Sequence, residues 1–354
     1  MSGPKRHHFV PRAFLQRFGC DGRVSVRRRG RGRLITARAL NVAVESSFYT
    51  TQTPEGGKST EIEALLAEVD GPADKAIAEV IEKDELPAAG TAGREVLATY
   101  MAVQVGRTPE AREQVAFPEN FLKYADGRRV DAKLMAEYLR EVHLGFEPSD
   151  GEVAGAIKMV EAAEVMGTLS HNDTVTVPLS VAEKYAGVLM RKHWSLEVAR
   201  KPRFLTSDAP LVAWHKPTPA DRYRGRGFGN AAEVRFPISS GHQLVLTDQP
   251  RPLVIRVEPA RVRQCNADVA AGCHNFIVGH PNHPRQLHEV SLAEKRPTLR
   301  FSTFPGYRVD ADGTEKDLGE VPLLWVQRAV YPTQSRSGSP RRQRHAAGGR
   351  RGRR

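Results

Sequence analysis

The apolar positions change period twice along the chain, and those changes divide it into three stretches. Near the start, Phe14, Leu15 and Phe18 recur at helical spacing behind Pro11, which suits a first helical position, and Gly19 can close the turn. His7 and His8 precede this short helix in an extended lead-in. Val24 and Val26 then alternate with polar residues, and Leu34-Ile35 resumes after Gly30-Arg31-Gly32, which predicts a β-hairpin over 23–38.

From 60 to 193 the period is helical. Ile62, Leu65, Leu66 and Val69 make one face, with Thr60 and Glu63 spaced as a capping box and Gly71-Pro72 as an interruption. Val96, Leu97, Tyr100, Met101 and Val105 mark a helix over 91–107. Helical rhythm returns at 131–143, 152–167 and 180–193. At Trp194 the texture turns to short β-like runs at 194–198, 204–206, 211–214, 234–236, 243–247 and 253–257. A helix over 259–271 and a strand at 276–278 follow.

Helices followed by strands predict an α+β fold with a mostly helical middle (60–193) and a β-rich C-terminal half. The expected organisation is one domain over 1–332 in two lobes. One lobe is helical (60–193). The other is β-rich (194–332) and is joined by the N-terminal hairpin, with the N-terminal segment packing across. Residues 333–354, almost free of apolar side chains, are expected to be a disordered arginine-rich tail.

Charge alters this picture only locally. The net +12 is concentrated in seven arginines between Arg23 and Arg38 and eight between Arg336 and Arg354, which leaves the rest of the chain slightly acidic. The hairpin arginines Arg27, Arg28, Arg29 and Arg31 are therefore the candidate nucleic-acid contacts, because guanidinium forks suit phosphates. The alternative is a solvated edge hairpin blunted by charge. The glycine-rich loop Arg222–Asn230 is a further basic, aromatic stretch. No apolar run reaches the length of a membrane span, and Cys20, Cys265 and Cys273 lack any regular spacing. Both observations lead to the expectation of a cytoplasmic protein.

Familiar chemical signatures are largely missing. Gly56-Gly57-Lys58-Ser59-Thr60 has Gln52 where a P-loop needs its first glycine. Cys273, His274, His280, His283 and His288 lack a zinc-ligand spacing, so no metal ligands are assigned and the cofactor is left open. The candidate catalytic residues are His7, His8 and Asp208. The histidines sit near the positive end of the first helix among Lys5, Arg6 and Arg12, a seat for phosphate or carboxylate. Successive side chains of an extended segment face opposite ways, so one histidine should work and the other pack. His8 shares a face with Val10, which would turn it inward and leave His7 the freer. Asp208 ends an apolar strand ahead of Ala209-Pro210. It could orient a histidine, act as a base or hold a metal, or it could simply form a turn with Ser207. Gln104 and Arg107 lie three apart on one helix side. Arg107 is either a substrate clamp or a buried tie for helix-end carbonyls.

These residues carry a family resemblance. His7-His8-x-x-Pro11 followed by Phe14-Leu15 and Phe18, then Phe48-Tyr49, Gln104 with Arg107-Thr108-Pro109, Thr206-Ser207-Asp208-Ala209-Pro210, Phe236-Pro237-Ile238-Ser239 and Asn266 resemble the bacterial domain-of-unknown-function family 4238. The resemblance spans most of residues 5 to 280. Ala13, Asp70 and Ile238 depart from the family pattern. It implies no activity.

The resulting expectation is an enzyme acting on a phosphate-containing substrate such as nucleic acid. His7, His8 and Asp208 would transfer protons, and Gln104, Arg107, Ser207 and Asn266 would position the substrate. The rivals are a non-catalytic nucleic-acid-binding module and a regulatory or scaffolding protein. Expected partners are nucleic acid or a phosphate-bearing small molecule, with no membrane and an oligomeric state left open. If the leading expectation holds, His7 or His8 lies within one-water reach of Asp208.

Overall fold

The computed structural model describes residues 6–201, 203–216, 227–310 and 313–327. The arginine-rich tail, Lys5 and most of the Arg222–Asn230 loop lie outside the described residues.

Strand β1 (Arg6–His8) leads into α1 (Arg12–Gln16), which Pro11 precedes as the sequence predicts. The hairpin follows as β2 (Arg23–Arg28) and β3 (Leu34–Arg38), then three short strands, β4 (Val44–Ser46), β5 (Thr51–Gln52) and β6 (Lys58–Ser59). The helical middle comprises α2 (Glu61–Lys83), α3 (Ala92–Gly106), α4 (Pro109–Ala125), α5 (Ala132–Tyr138), α6 (Asp150–Met166), α7 (His171–Ser180) and α8 (Ala182–Met190). Beyond it lie β7 (His193–Val198), β8 (Thr206–Ser207), β9 (Val212–Trp214), β10 (Glu233–Pro237), β11 (His242–Thr247) and β12 (Val254–Arg256). Helix α9 (Pro259–Gly272), β13 (Phe276–Gly279) and α10 (Arg285–Glu289) precede a long hairpin, β14 (Thr298–Val309) and β15 (Glu315–Gln327).

The fold is α+β, with helices in the middle and strands toward the C-terminal half. Two sheets organise it. One has the order β12-β7-β11-β10-β9 and is antiparallel except between β12 and β7. The other, β3-β2-β13-β8, is antiparallel throughout and pairs Arg28 with Phe276. Through β2 and β13 the N-terminal segment does cross to the C-terminal half. The main apolar core joins α1, α2, α3 and α8 to both sheets around Phe14, Phe18, Tyr100 and Phe236. A second core, centred on Phe117, Phe121, Tyr138 and Phe301, joins α4, α5 and α6 to β14. Here Gly155 lets α6 lie against the strand, since a Cβ would stand 2.5 Å from the Ser302 backbone nitrogen.

Two local expectations are corrected. Helix α2 runs unbroken through Pro72, because Ala73, Ile77 and Val80 are fully buried beyond it and hold its axis despite one lost backbone bond. The Thr60–Glu63 capping box does not form. Thr60 makes no side-chain cap, and the Glu63 carboxylate lies 3.4 Å from the His7 ring. Helix α7, with Pro178 inside it, was not foreseen.

Candidate functional site

The candidate residues fall into two groups that bond to different partners. In the first, β1 pairs with β4, so His7 stands opposite Glu45 and its side chain is fully buried. Its Nδ1 accepts the Tyr49 N–H at 2.8 Å, and its ring stacks on Tyr49 at 5.8 Å between centroids. His7 is thus the inward histidine and His8 the half-buried one, the reverse of the expectation from Val10. Pairing with β4, not with Val10's own turn, decides which face is covered. Burial pushes the His8 ring below the ordinary histidine range, against a pull from the Leu40 backbone.

Arg107 caps α3 as a fully buried tie. It donates to the Asp70 carboxylate at 2.7 Å and to the Leu66 carbonyl at 3.4 Å. Burial raises the Asp70 carboxyl against the pull of Arg107. Gln104 is buried one turn earlier. Neither of its amide atoms has a hydrogen-bond partner among the described residues, and nor does the buried Tyr49 hydroxyl.

The second group surrounds β8. Asp208 is fully buried and accepts the backbone N–H groups of His274 at 2.8 Å, Asn275 at 2.5 Å and Phe276 at 3.3 Å. Burial raises its carboxyl while those amides oppose the rise. Ser207 closes a turn onto Ala209, accepting its N–H at 3.1 Å and donating to its carbonyl at 2.9 Å. Asn266 accepts the Leu205 N–H and donates to the Arg203 carbonyl, both at 2.9 Å. All three side chains tie β8 to its neighbours. None of the Asp208 carboxylate's bonds goes to His7 or His8.

The hairpin arginines also divide. Arg27 donates to the Leu287 and Val290 carbonyls at 2.7 and 2.8 Å. Arg29 reaches five carbonyls at the end of α9 and beyond it, those of Ala270, Ala271, Cys273, His274 and Ala293. Their guanidiniums, partly buried, fasten the hairpin to the chain after α9. Arg31 is exposed at the tip, and Arg28 lies over the Phe276 ring at 5.0 Å.

Where these elements meet, an open cleft of about 290 Å³ is lined by Arg28, Glu45, Glu113, His274, Asn275 and Arg296, with Pro109 at its edge. It adjoins the Asp208 knot, because Asp208 fixes the backbone of His274 and Asn275. It adjoins the Arg107-Thr108-Pro109 corner, because Thr108 caps α4, accepting the Ala111 N–H, and sets the first turn that carries Glu113. The His274 ring is 1% exposed, with Nε2 3.3 Å from a Glu113 oxygen and Nδ1 without a hydrogen-bond partner among the described residues. Burial pushes the Glu113 carboxyl up, but His274, Arg296 and His143 outweigh that push and hold it below the usual carboxylate range.

The chain belongs to the DUF4238 family. A family model described as "Protein of unknown function (DUF4238)" matches residues 6–283. No curated protein and no solved structure matches the chain. The DUF4238 match ends before Arg296 and the β14–β15 hairpin, so one wall of the cleft comes from outside it.

Glu113 and Arg296 carry no signal in the sequence that marks them, since their role depends on contacts across more than 150 residues. His274 was visible only as part of a cluster without ligand spacing. Among the described residues no three His, Cys, Asp or Glu side chains come together as a metal site, and no helix is long and apolar enough to cross a membrane. One further constellation resembles a catalytic triad: Ser239 Oγ lies 2.9 Å from His242 Nδ1, and His242 Nε2 lies 2.8 Å from Asp84. Ser239 Oγ also accepts the Gly241 N–H at 3.1 Å within the same turn. That bonding makes the set a clasp between the β10–β11 turn and the end of α2.

Proposed function

We propose that the chain is an enzyme acting on a phosphate-bearing substrate in the cleft between β2, β4, α4 and β13. Arg28 and Arg296 would hold the phosphate oxygens. Glu113 would orient His274, which would take a proton from an attacking water and return it to the leaving oxygen. His7, His8 and Asp208, the residues first expected in that role, would instead shape the walls.

The observation that carries this reading is the imidazole Nδ1 of His274. A buried polar atom left unpaired costs about 1–3 kcal/mol, so it calls for a partner that the described residues do not supply. In the wall of a cleft with two guanidiniums, a substrate oxygen is a fitting one. Cys20, Cys265 and Cys273 form no disulfide among the described residues, which fits a reducing, cytoplasmic setting.

Turnover of bis(p-nitrophenyl) phosphate and p-nitrophenyl phosphate tests the proposal. His274→Gln should lower kcat by about 100-fold or more while the thermal midpoint stays close to that of the wild type. Unchanged turnover in a folded His274→Gln protein would refute the assignment. Salt-sensitive binding of nucleic acid that survives this change and is lost on neutralising Arg31 and Arg33 would favour the non-catalytic module instead.

A further inference from the structure

A second cleft, of about 250 Å³, lies beside the first and is lined by Glu45, Ser46, Ser47, Lys58, Arg112 and His171, among others. The two share their walls. Along β4 and just past its end, Val44 and Glu45 line the first cleft while Glu45, Ser46 and Ser47 line the second. At the start of α4, Pro109 and Glu113, one turn apart, line the first and Arg112 the second. They are two compartments of one groove crossing β4. The strand is bracketed by Ala43 and Ser47, non-glycine residues at φ +54° and +57°, a conformation that costs each about 1 kcal/mol or more and must be held by its surroundings.

The second compartment is cationic in its own right. The Arg112 guanidinium carbon lies over the Phe48 ring, 4.3 Å from its centroid, with no carboxylate within ion-pair distance among the described residues. Lys58 is exposed, and His171 opens α7, its Nε2 3.3 Å from the Thr50 carbonyl. The hydroxyls of Ser46 and Ser47 are exposed beside them. Each end of the groove therefore presents guanidinium groups, Arg296 in the first lying 3.7 Å from the Glu113 carboxylate, and the exposed Glu45 carboxylate stands between the ends.

Building on the function proposed above, we infer that the groove takes a phosphodiester-linked ligand at least two nucleotides long, one phosphate in each compartment. Arg28 and Arg296 hold one phosphate. Arg112 and Lys58 hold the next. The nucleoside between two phosphates carries hydroxyl and amine donors, which the Glu45 carboxylate accepts. A single phosphate fills only the first compartment.

Calorimetric titration of the full chain with AMP and with the 5′-phosphorylated diadenylate pApA tests this. In the wild type the dinucleotide should bind about tenfold or more tightly than AMP. In Lys58→Ala/Arg112→Ala the ratio of the two Kd values should fall to about one. Lys58→Ala alone, at an exposed site, should lower the ratio part-way, so that the result does not rest on a half-buried arginine. Equal affinities in the wild type, or a ratio untouched by either variant, would overturn the two-compartment groove. Arg296→Ala separates this from the underlying reading: AMP affinity unaffected by that change would overturn phosphate binding in the first compartment. A wild type that binds neither probe would overturn both.

Discussion

At the scale of single residues, the side chains most noticeable in the sequence are mainly fasteners. Arg29 illustrates why. It sits in a run of arginines that reads as a phosphate-binding tip, yet its guanidinium collects the carbonyls left unpaired where α9 ends. Asp208 does the converse, collecting amides of the segment that follows. In both cases residue type and local strand context are legible, but the partner lies 66 or more residues away and cannot be read. Glu113 behaves differently, because its neighbours hold it ionised. A carboxyl whose folded-state value lies below its unfolded one adds stability that is complete above the unfolded value, near pH 4.3, and is lost as pH falls through the folded value. Glu113→Gln should therefore flatten the fall in stability below about pH 4.5. Urea midpoints measured between pH 6 and pH 3 check this, and parallel curves for the two proteins would show that Glu113 gains nothing from His274 and Arg296.

At the scale of elements, the periodicity that marked helices over 91–107 and 152–167 and strands at 194–198 and 243–247 reports burial on one face, and the structure places each within a few residues. What periodicity does not report is which partner covers a face. Hence β1 presents His7 and not His8 to the interior, and Glu63 turns to His7 instead of capping its helix. Pro72 shows the same limit from the other side, since tertiary packing overrides a local breaker. The contact between α6 and β14 offers a paired test on one helix. A Cβ at Gly155 would meet the Ser302 backbone at 2.5 Å, whereas one at Gly151 would meet open space. Gly155→Ala should cost about 1–3 kcal/mol by overpacking, and Gly151→Ala should gain about 0.5–1 kcal/mol from the helix preference for alanine. Denaturant unfolding of both variants measures this. Equal effects would mean that the close approach of α6 to β14 does not constrain the fold.

At the scale of the whole molecule, the N-terminal strands, the α3–α4 corner and the loop from α9 to β13 come together around one cleft, although they lie some 270 residues apart in sequence. Part of this could be foreseen: two of the stretches that carry the family resemblance border the cleft, through Phe9 and Pro109. The groups proposed to react could not, because they are neighbours of those stretches and not members of them. Glu113 stands one turn beyond Pro109, His274 is held by Asp208, and Arg296 lies past the family match. The central claim is that substrate meets this cleft at His274 and not at the histidine pair with which the chain begins. A side-chain NMR titration of the histidine rings with AMP, with His274→Gln supplying the assignment, addresses it most directly. The His274 signals should shift along a saturable curve while those of His7 stay in place. Saturable shifts at His7 with His274 unmoved would contradict the claim.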